Sequence, residues 1–446
     1  MPDVPLTGRR LHFVGIGGAG MSGLALVASS LGAEVSGSDR SESSYTERLR
    51  AHGIEPAIGH DAANVPEGAE LVVSTAIPEG NPELAAAGAA GARVLHRGEL
   101  LGEVSRLKRS IAVSGTHGKT TTSGMAAHVL SACGREPAFV IGGELRSAHT
   151  NAAWGEGEWI VVEADESDRS FLHLARDVAV ITNVELDHHA TYRSLSELRA
   201  AFEEFAAPAA AVIAGPGAGL GGATSYGIGS GDLRAENVSL RPLGSSFEVE
   251  GLVVELNVPG EHNVLNALAA LAACREAGLG LDEAAPALAG YTGAGRRFEE
   301  RGRTATGARV FDDYAHHPTE VRATLEAART LGAGRVVACF QPHLYSRTRE
   351  LAREFGRALA LADLVVVCDV YPARERAEDF PGVSGLAVAR EAAHAGRGRP
   401  VWWVPSLDDA AARLGAELGE EDALLTLGAG DVDRVAAALV EADGGS

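Results

Sequence analysis

A glycine-rich loop that carries one of only two lysines is the most chemically informative feature of the sequence. Residues 115–121 read Gly-Thr-His-Gly-Lys-Thr-Thr and lie between a strand-like and a helix-like segment. The other lysine is Lys108, so arginine supplies almost all of the positive charge. In such a loop backbone N–H groups surround phosphate oxygens, Lys119 reaches the β- and γ-phosphates, and Thr120 binds Mg²⁺. The loop is shorter than the standard G-x-x-x-x-G-K-[ST] pattern because position 113 is Val, but its chemistry predicts an ATP site.

Two groups of candidate metal ligands follow predicted buried strands. The first group is acidic and consists of Glu163, Asp165, Glu166 and Asp168. The second group consists of Asp187, His188 and His189. Carboxylates beside a phosphate loop are typical of a Mg²⁺ site, and ligands bind at the carboxyl ends of parallel strands. Zn²⁺ at His188 and His189 is the alternative, but adjacent side chains of an extended segment point in opposite directions and no thiols accompany them.

A second glycine loop lies near the N-terminus. Gly15, Gly17 and Gly20 form the pattern G-x-G-x-x-G directly after a predicted strand and before a predicted helix. Asp39 follows Gly20 by 19 residues, at the end of the next predicted strand. This context predicts a diphosphate bound at a helix N-terminus. NAD(P) and a nucleotide sugar such as a UDP-sugar both satisfy the pattern, since their diphosphates are chemically equivalent.

Two dense polar loops mark the last third of the chain. One contains Asp312, Asp313, Tyr314, His316 and His317, and the other contains His343 and Arg347. Each loop comes after a strand-like segment, so parallel strands would bring both to one crevice. An arginine there suits a substrate carboxylate, because the guanidinium donates paired hydrogen bonds.

Strand-like and helix-like segments alternate along the chain, which predicts parallel α/β sheets. In the N-terminal part the predicted strands are 11–16, 34–39 and 71–75, and the predicted helix is 21–31. We expect an α/β protein with three domains: an N-terminal Rossmann-like domain (1–105), a central P-loop-type ATPase domain (106–292) and a C-terminal Rossmann-like domain (293–446).

Composition narrows the class of protein. Hydrophobic residues make up 46% and charged residues 22% of the chain, which is ordinary for globular domains. The formal net charge of −21 argues against a nucleic-acid-binding surface. The sequence shows no apolar run of membrane-spanning length and no signal-peptide cleavage pattern, and its four cysteines lack C-x-x-C spacing. We therefore expect a cytoplasmic protein with reduced thiols, no nucleic-acid partner and no membrane insertion.

Taken together, the motifs resemble those of the Mur ligases, and the resemblance spans nearly the whole chain. The matching segments are GIGGAGMSGLA (15–25), SGTHGKTTT (114–122), EADESD (163–168), NVELDHH (183–189), GEHNVLNALAA (260–270), RRFEERG (296–302), DDYAHHPTEV (312–321) and FQPHLYSRT (340–348). Within that family the motifs look most like those of the alanine-adding member. The resemblance implies ATP-dependent joining of L-alanine to the carboxylate of UDP-N-acetylmuramate through an acyl phosphate, in peptidoglycan precursor synthesis.

The resemblance also implies roles for individual residues. The UDP-sugar would be bound by Gly15, Gly17, Gly18, Ala19, Gly20, Ser38, Asp39, Ser74, Thr75, His96 and Arg97. ATP would be bound by Gly115, Thr116, His117, Gly118, Lys119, Thr120, Thr121, His262, Asn263 and Arg296. Mg²⁺, with Mn²⁺ as the alternative, would be bound by Thr120, Glu163 and His188. L-Alanine would be bound by Tyr314, His316, His343 and Arg347, and catalysis would use Lys119, His188, His189, Arg296 and His316.

Several alternatives stay open at this point. The family often has Arg where this chain has Leu344, which leaves Arg347 as the expected carboxylate partner. The general base is one of His188, His189 and His316. The rival functions are a ligase that attaches a recycled tripeptide to the same sugar, an NAD-dependent oxidoreductase fused to an NTPase module, and a non-catalytic nucleotide sensor. We expect a monomer or weak homodimer, and a Lys119→Ala variant that folds normally but loses nearly all turnover.

Overall fold

The computed structural model describes residues 5–188 and 191–441, which form two compact units. The first unit comprises residues up to 236 together with 248–254 and 265–292. The second unit comprises 237–247, 255–264 and the chain from 293 onwards. Parallel strands connected by helices form most of each sheet, so the predicted α/β class is confirmed. Within the described residues no helix is both long and apolar enough to cross a membrane.

The first sheet is five-stranded, parallel and doubly wound. Its strands are β1 (Arg10–Val14), β2 (Glu34–Asp39), β3 (Ala57–Ile58), β4 (Glu70–Val73) and β5 (Val94–His96), in the order β3-β2-β1-β4-β5. Its helices are α1 (Ala19–Ser30), α2 (Ser44–Ala51), α3 (Pro82–Ala89) and α4 (Arg97–Ser105). The chain turns to opposite sides of β1, so a ligand crevice is expected at the carboxyl ends of β1 and β4. The three predicted strands and the predicted helix are present, with ends shifted by up to two residues.

The second sheet of the first unit carries the lysine loop. Its strands include β6 (Arg109–Ser114), β7 (Ala138–Leu145), β8 (Thr150–Ala153), β9 (Trp159–Glu163), β10 (Val178–Ile181), β11 (Ala211–Ala214) and β12 (Thr224–Ile228). The order is β8-β7-β9-β6-β10-β11-β12, and only the pairing of β8 with β7 is antiparallel. The helices are α5 (Lys119–Ala132), α6 (Leu195–Ala206), α7 (Glu261–Glu276) and α8 (Leu281–Ala287). Three further strands, β13 (Leu233–Arg241), β14 (Gly244–Val249) and β15 (Leu252–Leu256), contribute residues to both units, as α7 does.

The strands at the centre of this sheet explain why polar residues gather at one edge. Strand β10 is buried at every position, and β6 and β9 are buried except at one end. Such continuous apolar runs are typical of parallel strands covered on both faces. Polar residues follow at the carboxyl ends of these strands, as at Ser114 and Glu163. The sheet therefore presents its polar side chains together at its carboxyl edge.

The third sheet forms the second unit. Its strands are β16 (Glu299–Arg303), β17 (Arg309–Asp313), β18 (Arg335–Phe340), β19 (Leu364–Val367), β20 (Val401–Trp403) and β21 (Asp422–Leu427). Their order is β16-β17-β21-β18-β19-β20, with only β16 antiparallel to its neighbour. The helices are α9 (Pro318–Arg329), α10 (Tyr345–Leu359), α11 (Gly385–Ala395), α12 (Leu407–Glu417) and α13 (Asp433–Glu441). Both predicted polar loops follow parallel strands of this sheet, namely β17 and β18.

Candidate active site

Two glycines give the lysine loop its shape. Gly115 has a φ of 126° and Gly118 a φ of 81°, conformations that L side chains rarely adopt. A Cβ on Gly115 would lie 2.1 Å from the hydroxyl of Thr182, and one on Gly118 would lie 2.4 Å from the Asn266 side-chain oxygen. Larger residues at either position would therefore collide with neighbouring elements. Helix α5 begins immediately after Gly118, so its first N–H groups point into the loop.

The segment that follows β10 fixes the rest of the loop. The Thr116 hydroxyl donates to the carbonyl of Glu185 and accepts from its N–H, each at 2.9 Å. The His117 N–H donates to Asn183 Oδ1 at 3.0 Å, and Asn183 Nδ2 returns a bond of the same length to the His117 carbonyl. The ring of His117 also lies 3.0 Å from a Glu185 carboxylate oxygen. These reciprocal bonds hold the loop in one conformation, which suits a preorganised phosphate site.

Lys119 is anchored at the centre of this edge. Its Nζ donates to the carbonyls of Gly115 (2.7 Å) and Thr116 (3.2 Å) and to the carboxylate of Glu166 (3.0 Å). Glu166 is completely buried, and the Lys119 side chain is only 15% exposed. Burial lowers the pKa of Lys119, but Glu166 and the neighbouring acidic residues outweigh it and leave the pKa raised. The ammonium is therefore a fixed positive charge at the mouth of the loop.

Thr120 and Glu163 form the part of the site suited to a divalent cation. The Thr120 hydroxyl lies 3.2 Å from one carboxylate oxygen of Glu163. The other oxygen accepts a 2.8 Å bond from the Gly142 N–H of β7, which orients the carboxylate. A hydroxyl and a carboxylate oxygen that converge beside a phosphate loop match the hard oxygen ligands of Mg²⁺. The donor set thus fits the predicted metal.

His188 reaches the same cluster from the segment that follows β10. Its Nε2 lies 3.1 Å from Glu166 Oε1 and 3.8 Å from an Asp187 oxygen. Burial lowers the pKa of His188, but the hydrogen bond and the charge of Glu166 outweigh it, so the pKa is raised. In this arrangement the ring favours the imidazolium form, whereas a metal ligand or general base must be neutral. The other predicted histidine of this segment, His189, lies outside the described residues.

An arginine joins the first glycine loop to this acidic cluster. Arg97, at the start of α4, donates to Asp165 Oδ2 at 2.6 Å. A Cβ on Gly20 would lie only 3.0 Å from the other end of the same guanidinium. Burial by itself raises the pKa of Asp165, but Arg97 and Lys119 dominate and hold that pKa well below its usual range. Gly20, Arg97, Asp165 and Glu163 line one small cavity, so the predicted sugar loop and the predicted metal carboxylate meet there.

The remaining predicted sugar-site residues lie along the carboxyl edge of the first sheet. Gly17 N–H donates to Asp39 Oδ2 at 2.9 Å, and a Cβ on Gly15 would touch Ile77 at 3.1 Å in the turn that holds Ser74 and Thr75. Gly18 is the N-cap residue of α1, and Ala19 is its first residue. Ser38 is fully buried, so its side chain points inward.

His96 is the last residue of β5. It caps α4, and its Nε2 lies 3.4 Å from Asp168 in the acidic group that follows β9. Burial lowers the pKa of His96. The ring therefore contacts the acidic cluster from the carboxyl edge of the first sheet.

Arg296 in the second unit is bound to protein groups on several sides. Its Nε donates to Asp312 at 2.8 Å, and its two other nitrogens donate to the carbonyls of Gly428 and Gly430 at 3.0 Å. Asp312 is completely buried and also accepts from Thr426 at 2.7 Å. These contacts fix the start of β16 against the loop after β21. Most N–H groups of Arg296, which was predicted to bind ATP, thus donate to other groups of the protein.

The neighbouring Arg297, which was not among the predicted site residues, also faces Tyr314. The guanidinium groups of Arg296 and Arg297 each lie 5.3 Å from the centre of the Tyr314 ring. Burial and the charge of Arg297 lower the pKa of His262 to about 4, so this imidazole is neutral. Asn263 donates to the carbonyl of Pro259 at 2.7 Å. The signal for Arg297 was present in RRFEERG, but two adjacent arginines cannot be ranked from sequence alone.

Four rings form a continuous row across the second unit. Tyr314 contacts His316 with ring centres 5.4 Å apart, His316 contacts His343 at 5.9 Å, and His343 stacks on Tyr371 at 5.7 Å. Arg347, only 4% exposed, lies 3.2 Å from His343 Nδ1. The structure therefore brings together all four residues predicted to bind the amino acid. It adds Tyr371, which sequence reasoning missed because it lies on a loop far along the chain.

The turn that presents this row is strained at Leu344. Leu344 has a φ of 70°, which is costly for a residue with a Cβ. Its N–H donates to the Tyr371 carbonyl at 2.9 Å, and its own carbonyl accepts from the Thr348 hydroxyl at 2.7 Å. These bonds hold the turn in place and direct Arg347, in the first turn of α10, toward His343.

Three residues of the first unit to which the family resemblance gave no role complete the lysine loop. Glu166 bridges Lys119 and His188, Asn183 pairs with the loop backbone, and Asn266 approaches both Gly118 and the Thr122 hydroxyl (3.2 Å). Glu166 and Asn183 stand within the polar strand ends that the sequence analysis noted. Asn266 follows Asn263 by three residues in α7, a spacing that places both on one helix face.

The fold and these sites define a class of protein: an α/β enzyme with a phosphate-type loop beside acidic and imidazole groups. Three family models match consecutive segments of the chain. The catalytic domain of the Mur ligase family matches residues 10–109, the Mur ligase middle domain matches 113–274, and the Mur ligase glutamate ligase domain matches 296–430. The chain belongs to the Mur ligase family.

Individual relatives give a sharper comparison. The chain is 46% identical to a UDP-N-acetylmuramate–L-alanine ligase of Acidithiobacillus ferrooxidans, over 96% of this chain and 97% of the relative. It is also 46% identical to the ligase of the same name from Streptomyces coelicolor, over 97% of each. Among solved structures, the UDP-N-acetylmuramate–alanine ligase of Thermotoga maritima is similar with a TM-score of 0.85 at 32% identity, covering 97% of this chain and 98% of that one. A murein peptide ligase of Psychrobacter arcticus is similar with a TM-score of 0.75 at 25% identity, covering 98% and 99%.

Proposed function

We propose that this chain is an ATP-dependent ligase that joins L-alanine to the carboxylate of UDP-N-acetylmuramate and releases ADP and phosphate. The relatives that carry this activity in their names are 42–46% identical to it over nearly their whole length. The product is a precursor of peptidoglycan. We place the enzyme in the cytoplasm, where ATP and nucleotide sugars are available, as a monomer or weak homodimer.

One observation carries the proposal. The lysine loop places the ammonium of Lys119 and the hydroxyl of Thr120 beside Glu163, Glu166 and His188, at the carboxyl ends of three adjacent strands. A fixed cation and oxygen ligands converge there at a helix N-terminus, which is the arrangement that binds a nucleoside triphosphate. A plain structural turn would not need a buried lysine paired with a buried glutamate.

The first chemical step brings two anions together. An oxygen of the sugar carboxylate attacks the γ-phosphorus of ATP, and the bond from that phosphorus to the β–γ bridging oxygen breaks. ADP departs, and the sugar now carries an acyl phosphate. Two unit charges 4 Å apart repel by about 4 kcal/mol at an effective dielectric constant of 20. Lys119 opposes this repulsion at the phosphates, and Arg97, beside Gly20, supplies positive charge on the sugar side.

We assign the Mg²⁺ site to Thr120 and Glu163, with His188 as a further ligand when its imidazole is neutral. An ion held by these residues would supply positive charge to the phosphates and act as a Lewis acid. The Gly142 N–H keeps the Glu163 carboxylate turned toward Thr120.

The second step needs a neutral amine. The nitrogen of L-alanine attacks the acyl carbon, the bond from that carbon to the phosphate oxygen breaks, and a base takes the proton lost by nitrogen. Arg347 binds the alanine carboxylate through its planar guanidinium, and His343 orients Arg347. His316, which lies between Tyr314 and His343, is the candidate base of the second unit; His188 and His189 are the candidates of the first.

We retain the domain limits 1–105, 106–292 and 293–446 as part of the proposal. The first domain would bind the UDP-sugar, the second ATP, and the third the amino acid. Each of the three sheets presents its candidate residues at the carboxyl ends of parallel strands, which fits one substrate for each domain.

The decisive experiment measures ADP release and identifies the product by mass spectrometry. The reaction contains UDP-N-acetylmuramate, ATP and Mg²⁺ with L-alanine, L-serine, glycine or the recycled tripeptide as acceptor. We expect turnover with L-alanine and a product heavier by one alanyl residue. Turnover with the tripeptide alone would replace the proposal with the sister ligase. NAD(P) binding without amide formation would refute it altogether.

A further inference from the structure

A fully buried carboxylate lies behind the first glycine loop, and no step of the proposed reaction uses it. Glu83, the second residue of α3, has no exposed surface. Among the described residues 5–188 and 191–441, its ion-pair partners are the imidazoles of His12 at 3.6 Å and His60 at 3.5 Å, with no lysine or arginine. A buried carboxylate is costly unless it is hydrogen-bonded and performs a task that an apolar residue could not.

The hydrogen bonds of Glu83 point to that task. One carboxylate oxygen accepts from the Ser38 hydroxyl at 2.6 Å. The other accepts from Asn64 Nδ2 at 2.8 Å and from the Asp61 N–H at 3.3 Å. A single carboxylate thus connects the end of β2 with the segment that follows β3. The two connected segments flank Asp39, which holds the Gly17 N–H.

Ser38 passes this constraint to the glycine loop through its backbone. Its carbonyl accepts from the N–H groups of Gly15 (2.8 Å) and Ile16 (2.9 Å), which are the first two residues after β1. Because Ser38 is fully buried and its hydroxyl donates to Glu83, the serine side chain is engaged inside the protein. The carboxylate, the serine and the loop therefore form one hydrogen-bonded chain.

We propose that Glu83 is a positioning residue for the nucleotide sugar: it acts through Ser38 to set the conformation of the Gly15–Gly20 loop and thereby the affinity for the UDP-sugar. This inference rests on the proposed function, since it concerns the sugar-nucleotide end of that site. It assigns Ser38 an indirect role, in place of the direct contact that the sequence predicted.

Calorimetry on the full chain tests the proposal, with UDP-N-acetylmuramate and ATP titrated separately. For Glu83→Ala we expect the dissociation constant of the UDP-sugar to rise about tenfold, or about 1.4 kcal/mol, while that of ATP stays within about twofold. Glu83→Gln should stay within about threefold of wild type for both ligands, because its amide keeps one acceptor and can donate to the Ser38 hydroxyl. Glu79→Ala, a change in an exposed carboxylate four residues earlier, is the matched control.

A double-mutant cycle separates positioning from general stability. If Glu83 acts through Ser38, the effect of Glu83→Ala on sugar affinity shrinks in a Ser38→Ala background. The inference is overturned if the effects of the two substitutions on sugar affinity are fully additive. It is also overturned if Glu83→Ala leaves the sugar affinity unchanged, or if this variant loses equal affinity for the sugar and for ATP. Should Glu83→Ala fail to fold, Ser38→Ala alone must raise the sugar dissociation constant without changing that of ATP, or the inference fails. A wild-type chain that does not bind the UDP-sugar would refute the proposed function instead.

Discussion

Replacing Lys119 with alanine should damage both the chemistry and the fold, and the two effects can be separated. The ammonium lies 3.0 Å from the carboxylate of Glu166, which has no exposed surface. Removing one partner of a buried pair leaves an uncompensated charge, at a cost of about 3–5 kcal/mol. His188, at 3.1 Å from the same carboxylate, remains as a partner. We therefore expect a loss of about 2–3 kcal/mol, which revises the expectation from sequence that this variant folds normally.

The assays follow from these numbers. Calorimetric unfolding of Lys119→Ala should show a melting temperature lower by about 4–6 °C. ADP release should fall about 1,000-fold, because a fixed charge near the transferred phosphoryl group stabilises the transition state by about 4 kcal/mol. In Lys119→Ala/Glu166→Gln the unpaired carboxylate is gone, so the melting temperature should largely recover while turnover stays lost.

Three results would refute this reasoning. An unchanged melting temperature in Lys119→Ala would mean that the ion pair with Glu166 does not contribute to stability. Retention of more than about a tenth of the turnover would mean that Lys119 is not the phosphate-binding cation. Recovery of turnover in the double variant would mean that Lys119 serves only to neutralise Glu166.

Three further predictions concern the metal, the amino acid and pH. Glu163→Gln should raise the Mg²⁺ concentration needed for half-maximal ADP release about 10–100-fold; an unchanged Mg²⁺ dependence would remove Glu163 from the metal site. Arg347→Lys should raise the KM for L-alanine about tenfold and leave the KM for ATP unchanged, because lysine cannot form the paired hydrogen bonds; equal changes in both would contradict a carboxylate contact. Burial raises the pKa of Asp313 from 3.8 to about 6. As the pH falls, the native state therefore binds this proton at a higher pH than the unfolded chain does. The free energy of unfolding should increase by about 2–3 kcal/mol between pH 6 and pH 4 because of this group. Denaturant unfolding at several pH values should show a smaller increase in Asp313→Asn than in the wild type. Identical pH profiles for the two proteins would exclude a contribution of Asp313.

The parts of the fold predicted from sequence are those fixed by local patterns. Strands β1, β6, β9 and β10 are apolar runs bounded by glycine or polar residues, and such runs indicate parallel strands. The antiparallel pairing of β7 with β8 was not predicted. Its strands read AFVIGGEL and TNAA, whose glycines and small polar residues obscure any alternation. Their pairing depends on packing against α1, which a local window does not contain.

The candidate site shows the same division between local and tertiary information. The loop around Lys119 was predictable because glycine spacing and one lysine are local features. The pairing of Lys119 with Glu166 was not, because several carboxylates follow β9 and only the fold decides which one faces the ammonium. The neighbouring Arg296 and Arg297 show this most clearly. They share a motif and both lie 5.3 Å from the centre of the Tyr314 ring, yet the structure shows that Arg296 also binds Asp312 and two backbone carbonyls.

The β7–β8 hairpin connects the two candidate sites of the first unit. Buried Asn151 of β8 donates to the carbonyl of Ala19 at 2.5 Å and to the Ser22 hydroxyl at 3.2 Å, at the start of the helix that follows the sugar loop. Gly142 of β7 donates to Glu163 at the candidate metal site. In-line attack requires reacting atoms within about 3–3.5 Å, and a misplacement of about 1 Å costs about 100-fold in rate. A hairpin bonded to both candidate sites reduces such misplacement, because the first glycine loop cannot shift without breaking the Asn151 bonds or moving the strand that orients Glu163.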